Sequence, residues 1–299
     1  MSDSSLLEPG WSSSTRAVNG VHLHLVEAGD PEAPLLLLLH GFPEFWWTWH
    51  RQIPVLAEAG FHVVAPDLRG YHRSDAPRGV AAYRLDTLAD DVIGLADSFD
   101  AEDFELVGHD WGAVIAWRVA ARIPGRVRHL VPLAGPHPDV WLPEILSSPA
   151  QALRSTYAGF FQLPWVPEKV LSAFGFRALR AMMRRTSHAR AFPPGDLERY
   201  AVAWSQPASI SGMLNYYRAL RLRRAGASAR EAPARIMPPT LILWAEHDVA
   251  LRRRLAERSL ERCERGRLSV VPGTSHWLHL EQPQRIADEI IAFLRETRS

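Results

Sequence analysis

The chain has 299 residues, 47% of them hydrophobic, and its 34 basic and 33 acidic residues leave a formal net charge of +1. That balance gives no electrostatic reason to bind nucleic acid or an anionic membrane, and a single cysteine, Cys263, excludes both an intrachain disulfide and a thiolate metal site. A chain of this length buries about 75% of its unfolded surface, enough for one large core.

Residues 1–11 show neither the charged leader nor the apolar stretch of a signal peptide. The longest aliphatic run, Leu35–Leu39, is far short of the roughly 20 residues that a membrane span needs. A soluble, cytoplasmic protein is therefore expected, and a homo-oligomer stays possible.

Residues 21–27 alternate polar and apolar and predict an edge-type strand. Residues 34–39 are continuously apolar, as in a strand covered on both faces, and 62–66, 105–108 and 127–134 read likewise. Helical patterns lie between them at 47–59, 85–99 and 111–123. Such alternation predicts an α/β fold with a mostly parallel sheet flanked by helices. From about 142 to 233 the strand pattern stops, and helix-like stretches follow at 167–176, 178–185, 196–205 and 209–224. Strands then return at 240–245 and 267–271, and a helix closes the chain at 283–298. The expected organisation is a first core part over 1–141, a helical cap inserted over 142–233, and a second core part over 234–299. The cap should lie over the carboxyl edge of the sheet, where open α/β sheets bind ligands.

The strand at 105–108 runs into Gly108-His109-Asp110-Trp111-Gly112 and then directly into a helical pattern. Glycine, two residues either side of a central side chain between strand and helix, is the spacing of a nucleophile elbow. The central residue is Asp110. A carboxylate is already ionised at neutral pH and needs no base to attack an sp³ carbon, leaving an ester on the enzyme. The competing reading is a helix cap. An orienting acid and a histidine should follow in that order. Asp248 stands just after the strand at 240–245, with Glu246 as its competitor, and His276 just after the strand at 267–271. His247 and His279 are neighbours without an assigned part. The strand at 34–39 ends in His40-Gly41-Phe42-Pro43-Glu44, so the backbone N–H groups of Phe42 and Trp111 are the candidate oxyanion donors. Glu44 reads equally as a water-orienting carboxylate and as a surface or turn-stabilising one.

Together these residues resemble the α/β-hydrolase-fold epoxide hydrolases, over nearly the whole chain from about 21 to 294. HGFPEFWWTWHRQIPVLAEAGFHVVAPDLRGY (40–71) is similar to that family's oxyanion segment. GHDWG (108–112), AEHD (245–248) and SHW (275–277) are similar to its nucleophile, acid and histidine motifs. The resemblance implies hydrolysis of a small apolar epoxide by water, without a cofactor or metal. It also implies two cap tyrosines that donate to the epoxide oxygen, matched here by Tyr217 in LNYYRAL and Tyr157 in TYAGFFQ. Tyr216 is the alternative to Tyr217, and since adjacent helical residues point about 100° apart only one of them should face the site. The turn after Tyr71 departs from the family, carrying His72-Arg73 where small residues are usual. Trp46, Phe160, Phe161 and Trp165 are expected to line an apolar pocket.

Two other readings remain. A haloalkane dehalogenase shares the Asp nucleophile but needs two N–H donors for halide. Trp111 offers one, Phe42 has none, and Trp141, Trp165 or Trp204 would have to supply the second. A non-catalytic ligand-binding protein on the same fold is the reading of another class.

Overall fold

In the computed structural model, which describes residues 6–189, 191–222 and 235–296 (and only the backbone of Leu142), the apolar runs are strands of one sheet. They are β1 (Trp11–Val18), β2 (Val21–Ala28), β3 (Leu35–Leu39), β4 (His62–Pro66), β5 (Phe104–His109), β6 (Val127–Leu133), β7 (Thr240–Ala245) and β8 (Gly266–Val271). Their spatial order is β1-β2-β4-β3-β5-β6-β7-β8. β2 pairs antiparallel with β1 and β4, and the remaining pairs are parallel. β3, β4, β5 and β7 are buried along their whole length, as strands sandwiched between two helical layers must be.

β1 is a strand that hydrophobic periodicity did not predict. Its sequence, WSSSTRAV, is poor in apolar residues because it is a half-exposed edge strand. Its register against β2 is set by the two-residue turn Asn19-Gly20, both at positive φ (46° and 74°). Such a turn matches the twist of the strands it joins.

Helices α1 (Ile53–Glu58), α2 (Leu85–Asp97) and α3 (Trp111–Arg122) pack on the sheet. The single helix expected over 47–59 is instead a 3₁₀ turn, Trp46–Trp49, followed by α1. Pro54 is the reason: proline is tolerated in the first turn of a helix but breaks its interior. Between β6 and β7 lie α4 (Pro138–Ser147), α5 (Pro149–Arg154), α6 (Thr156–Phe160), α7 (Val166–Thr186), α8 (Asp196–Trp204) and α9 (Ser209–Ala219). This helical run begins at Pro138 rather than at 142, and its expected end at 233 lies outside the described residues. Residues 173–176 interrupt α7 with non-helical backbone, which divides it much as the two expected helices at 167–176 and 178–185 were divided. The helix expected over 209–224 ends at Ala219, and its last two expected residues lie outside the described part. The chain closes with α10 (Arg253–Leu260), α11 (Leu278–Glu281) and α12 (Pro283–Glu296); residues 297 and 298 of the expected closing helix are not described.

A few side-chain bonds seat the inserted helices on the core. The Tyr216 hydroxyl donates to the Arg69 carbonyl at 2.8 Å, the Trp204 indole to the Pro43 carbonyl at 2.6 Å, and the Trp277 indole to the Thr186 hydroxyl at 3.0 Å. Among the described residues no helix is long and apolar enough to cross a membrane.

Candidate active site

Asp110 sits between β5 and α3 with φ 49° and ψ −114°, a backbone conformation that L side chains rarely adopt and that costs on the order of 1–3 kcal/mol. The close approach that holds it there depends on glycine. A side chain at Gly112 would collide with the Leu39 carbonyl, and a Cβ at Gly41 would stand 2.5 Å from the Cβ of Asp110. The strand-end loops of β3 and β5 therefore meet around the carboxylate.

The two oxygens of Asp110 have different surroundings. Oδ1 accepts the Phe42 backbone N–H at 2.9 Å, and the Trp111 backbone N–H also bonds the carboxylate. Oδ2 lies 3.7 Å from His276 Nε2. On the far side of that ring, Nδ1–H donates to Asp248 Oδ2 at 2.8 Å. Asp248 is itself held by the N–H groups of Ala250 and Leu251 on Oδ1, both at 2.8 Å. Glu246 is spent elsewhere, accepting from the Gly273 N–H at 2.8 Å, and His247 is exposed beside it. The structure thus brings Asp110, His276 and Asp248 together, with the Phe42 N–H on the oxygen opposite His276 and the Trp111 N–H also on the carboxylate.

Burial sets the electrostatics. It pushes the Asp110 carboxyl above its usual range, against the opposing pull of His276, His109 and the two N–H groups. Burial also disfavours the His276 imidazolium, but Asp248 first, then Asp110 and Glu44, outweigh it and raise that pKa to about 9. Desolvation, with Asp110 nearby, raises the phenols of Tyr157 and Tyr217, so both keep their protons as donors.

Tyr157 and Tyr217 face the cavity that holds Asp110 and His276, with their rings edge to face and their centroids 5.8 Å apart. Tyr216, one residue earlier on α9, turns to the core, where it packs on Tyr71 and Tyr83. The expected aromatic walls need correction. Trp46 packs into the core on Trp11, Phe45 and Trp47, and Trp165 is 75% exposed at the start of α7. Phe161 packs on Phe42 and Tyr217, and Phe160 sits against Phe161. None of the four walls the cavity at Asp110. Aromatic side chains fill core and pocket equally well, so residue type alone does not separate them. Met182, Thr186, Val249, Ala250 and Trp277 wall it instead, and Trp277 was the legible one, beside His276 in the SHW motif.

Sequence reasoning also missed what stands behind the site. Glu44 is fully buried rather than at the surface. It accepts the Gly41 N–H at 2.9 Å, the Thr48 hydroxyl at 2.5 Å and His109 Nδ1–H at 2.8 Å. Burial alone would raise its pKa, but His109 and His279 hold it well below the carboxylate range. His109 Nε2 lies 3.0 Å from the His276 carbonyl. One buried carboxylate so braces the Gly41 turn and, through His109, the loop that carries His276. His279 lies against the same carboxylate, and burial lowers its pKa to about 4. Glu44, His109 and His279 could geometrically hold a metal ion, but each is already committed to this hydrogen-bonded set. His40 has the same bracing character, accepting the Leu68 N–H at 2.9 Å, and burial lowers its pKa.

A profile of the α/β hydrolase fold matches residues 34–283. The chain belongs to that family. Within it, the chain is 40% identical to the AB hydrolase superfamily protein YfhM of Bacillus subtilis, across 93% of this chain and 96% of that protein. It is 38% identical to epoxide hydrolase 4 of Homo sapiens, across 93% of this chain and 77% of the relative. An epoxide hydrolase of Bacillus megaterium, solved in complex with an inhibitor, superposes with a TM-score of 0.84 at 30% identity, covering 95% of this chain and all of that one (100%).

Proposed function

We propose that this α/β-hydrolase-fold chain hydrolyses epoxides to vicinal diols through an ester on Asp110. The observation that carries the reading is the pair of protonated phenols, Tyr157 and Tyr217, in the same cavity as a carboxylate nucleophile. Similarity to proteins named epoxide hydrolases supports it. Asp110 Oδ2, the oxygen that faces His276, attacks one ring carbon. The C–O bond opposite breaks, and a tyrosine proton goes to the developing alkoxide, a service worth about 10² to 10⁴ in rate. Esterification removes the negative charge of Asp110, so the imidazolium of His276 loses one of its partners and its pKa falls below about 9. Neutral His276 then takes a proton from water, which attacks the ester carbonyl carbon. Oδ1 becomes the oxyanion, already facing the Phe42 N–H, with the Trp111 N–H on the same carboxylate; one such donor is commonly worth about 3 kcal/mol. Collapse breaks the ester C–O bond, the leaving diol oxygen takes the proton from His276, and the carboxyl proton left on Asp110 returns to the tyrosinate. Asp248 holds His276 in the tautomer this step needs.

The dehalogenase reading is less well supplied. Trp165 is exposed, Trp204 spends its indole N–H on Pro43, and the Trp111 ring packs edge-on against Tyr217. Of these four candidate donors, Trp141 is the one with a buried indole N–H that has no partner among the described residues. Release of diol or of halide from matched substrates separates the two. The ester route itself is tested by a single turnover in ¹⁸O-water. The expected diol is unlabelled, with ¹⁸O left in the peptide containing Asp110. Label in the first diol would overturn nucleophilic attack in favour of general-base activation of water.

A further inference from the structure

The space at Asp110 divides into two lobes whose walls share only Asp110 and Tyr157. The larger, about 240 Å³, is walled by Met182, Thr186, Val249, Ala250 and Trp277 among others. Arg154 and Val249 also wall a polar surface groove of about 510 Å³, so a long substituent in this lobe has a way onward. The smaller lobe, about 10 Å³, is closed by Trp111, Val114, Pro136, Trp141 and Leu251. That is room for a group about the size of one water or methyl, and far too little for a phenyl ring.

These walls are not free to yield. Trp141 is buried and edge-on to Trp111 at 5.7 Å, and Trp111 is in turn wedged edge-on against Tyr216 and Tyr217. Val114 stands three residues on from Trp111 on α3, and Leu251 is pinned by its N–H to Asp248. Enlarging the lobe means repacking the cap–core seam, and close-packed interiors resist that.

The epoxide must put one carbon at Asp110 and its oxygen at the tyrosines, which are the groups near the junction of the lobes. The substituents of the two ring carbons then have to divide between them. Resting on the epoxide reading, we propose that the chain selects terminal epoxides carrying one bulky apolar substituent, and that Trp141 and Leu251 impose that limit. The bulky group occupies the lobe beside His276 and Trp277, and the unsubstituted CH₂ end faces the small lobe.

Styrene oxide and trans-stilbene oxide differ by one phenyl group on the second ring carbon and make the test. The expected kcat/KM ratio favours styrene oxide by about 100-fold or more, since even a methylene-sized mismatch in a pocket is worth about 10–200-fold. Trp141→Ala, on the cap side, and Leu251→Ala, on the core side, open the small lobe from different elements. Each should shrink the ratio by about tenfold, whatever it does to the absolute rates. A wild-type ratio under about tenfold, or a ratio unchanged in both variants, overturns the selectivity. Styrene oxide giving neither diol nor an ester adduct on the His276→Gln variant instead overturns the epoxide reading, and the selectivity with it.

Discussion

Core and cap hold their candidate residues by different means. In the core, backbone does the positioning: Asp110 is set by a strained turn, its carboxylate by main-chain N–H groups, and Asp248 by two more. In the cap, Tyr157 and Tyr217 ride on short helices tied down by isolated side-chain bonds such as Tyr216 to Arg69 and Trp204 to Pro43. A ladder of backbone bonds across a parallel sheet opens only cooperatively, whereas single tertiary bonds can be lost one at a time. The proposed nucleophile is therefore the more rigid partner, and the proposed oxygen donors, though closely packed, are the more adjustable one.

The comparison breaks first at its rigid end. Asp110→Ala should lower epoxide turnover by about 10⁴-fold or more, with no adduct by intact mass and an unchanged circular dichroism spectrum. Next, Asp248→Asn should slow ester hydrolysis by up to about 10⁴-fold while leaving ester formation much faster, because it disturbs His276 rather than the nucleophile. Pre-steady-state kinetics resolves the two steps, and equal losses in both would argue for a structural part. At the adjustable end, Tyr217→Phe and Tyr157→Phe should each slow ring opening by less than the double variant, which approaches about 10² to 10⁴-fold. Either phenol partly replaces the other, because both line the same cavity as Asp110.

The pH profile separates the steps further. Ester formation asks for ionised Asp110 and a protonated phenol; since burial raises both phenols, it should fall on the acid side over the ordinary pH range, at a pH above that of an ordinary aspartate. Ester hydrolysis asks for neutral His276 and should rise with pH toward a midpoint below about 9. The His276 pKa is raised on folding, from 6.5 to about 9. Its contribution to stability is thus full below pH 6.5 and lost as pH rises through about 9. Melting temperature should decline over that window, and less so in His276→Gln. The smallest effect is expected at Tyr216→Phe. Losing the bond to Arg69 costs about 1 kcal/mol of stability, read as a lowered melting temperature, with turnover within a few-fold of wild type. A large catalytic loss there would mean that cap seating, not only cap chemistry, controls the reaction.

Much of this was legible before any coordinates. Apolar runs at β3, β4, β5 and β7 announce strands because burial on both faces leaves no room for polar residues. GHDWG announces the elbow because the turn admits nothing larger than glycine at position 112. The order Asp110, Asp248, His276 follows from three strand ends, each visible locally. Even the missed β1 left a signal: Asn19-Gly20 between Val18 and Val21 is a hairpin turn, overlooked because serines in an exposed edge strand carry no hydrophobic period.

Other features had no local trace. Glu44 meets His109 across 65 positions and His279 across more than 230, and nothing near Glu44 in the chain says it is buried. Which of Tyr216 and Tyr217 faces the cavity depends on how α9 is rotated against Arg69, a relation between distant segments. Trp46, Phe160, Phe161 and Trp165 were plausible walls by residue type, yet the packing of their neighbours sent each elsewhere. Periodicity, glycine demand and motif order are properties of contiguous chain, so the sequence by itself determined the fold class and the catalytic candidates. Burial of a charge, the facing of a helix and the volume of a lobe belong to pairs of segments far apart in sequence. Only the tertiary structure, where those segments exclude each other's volume, decided them.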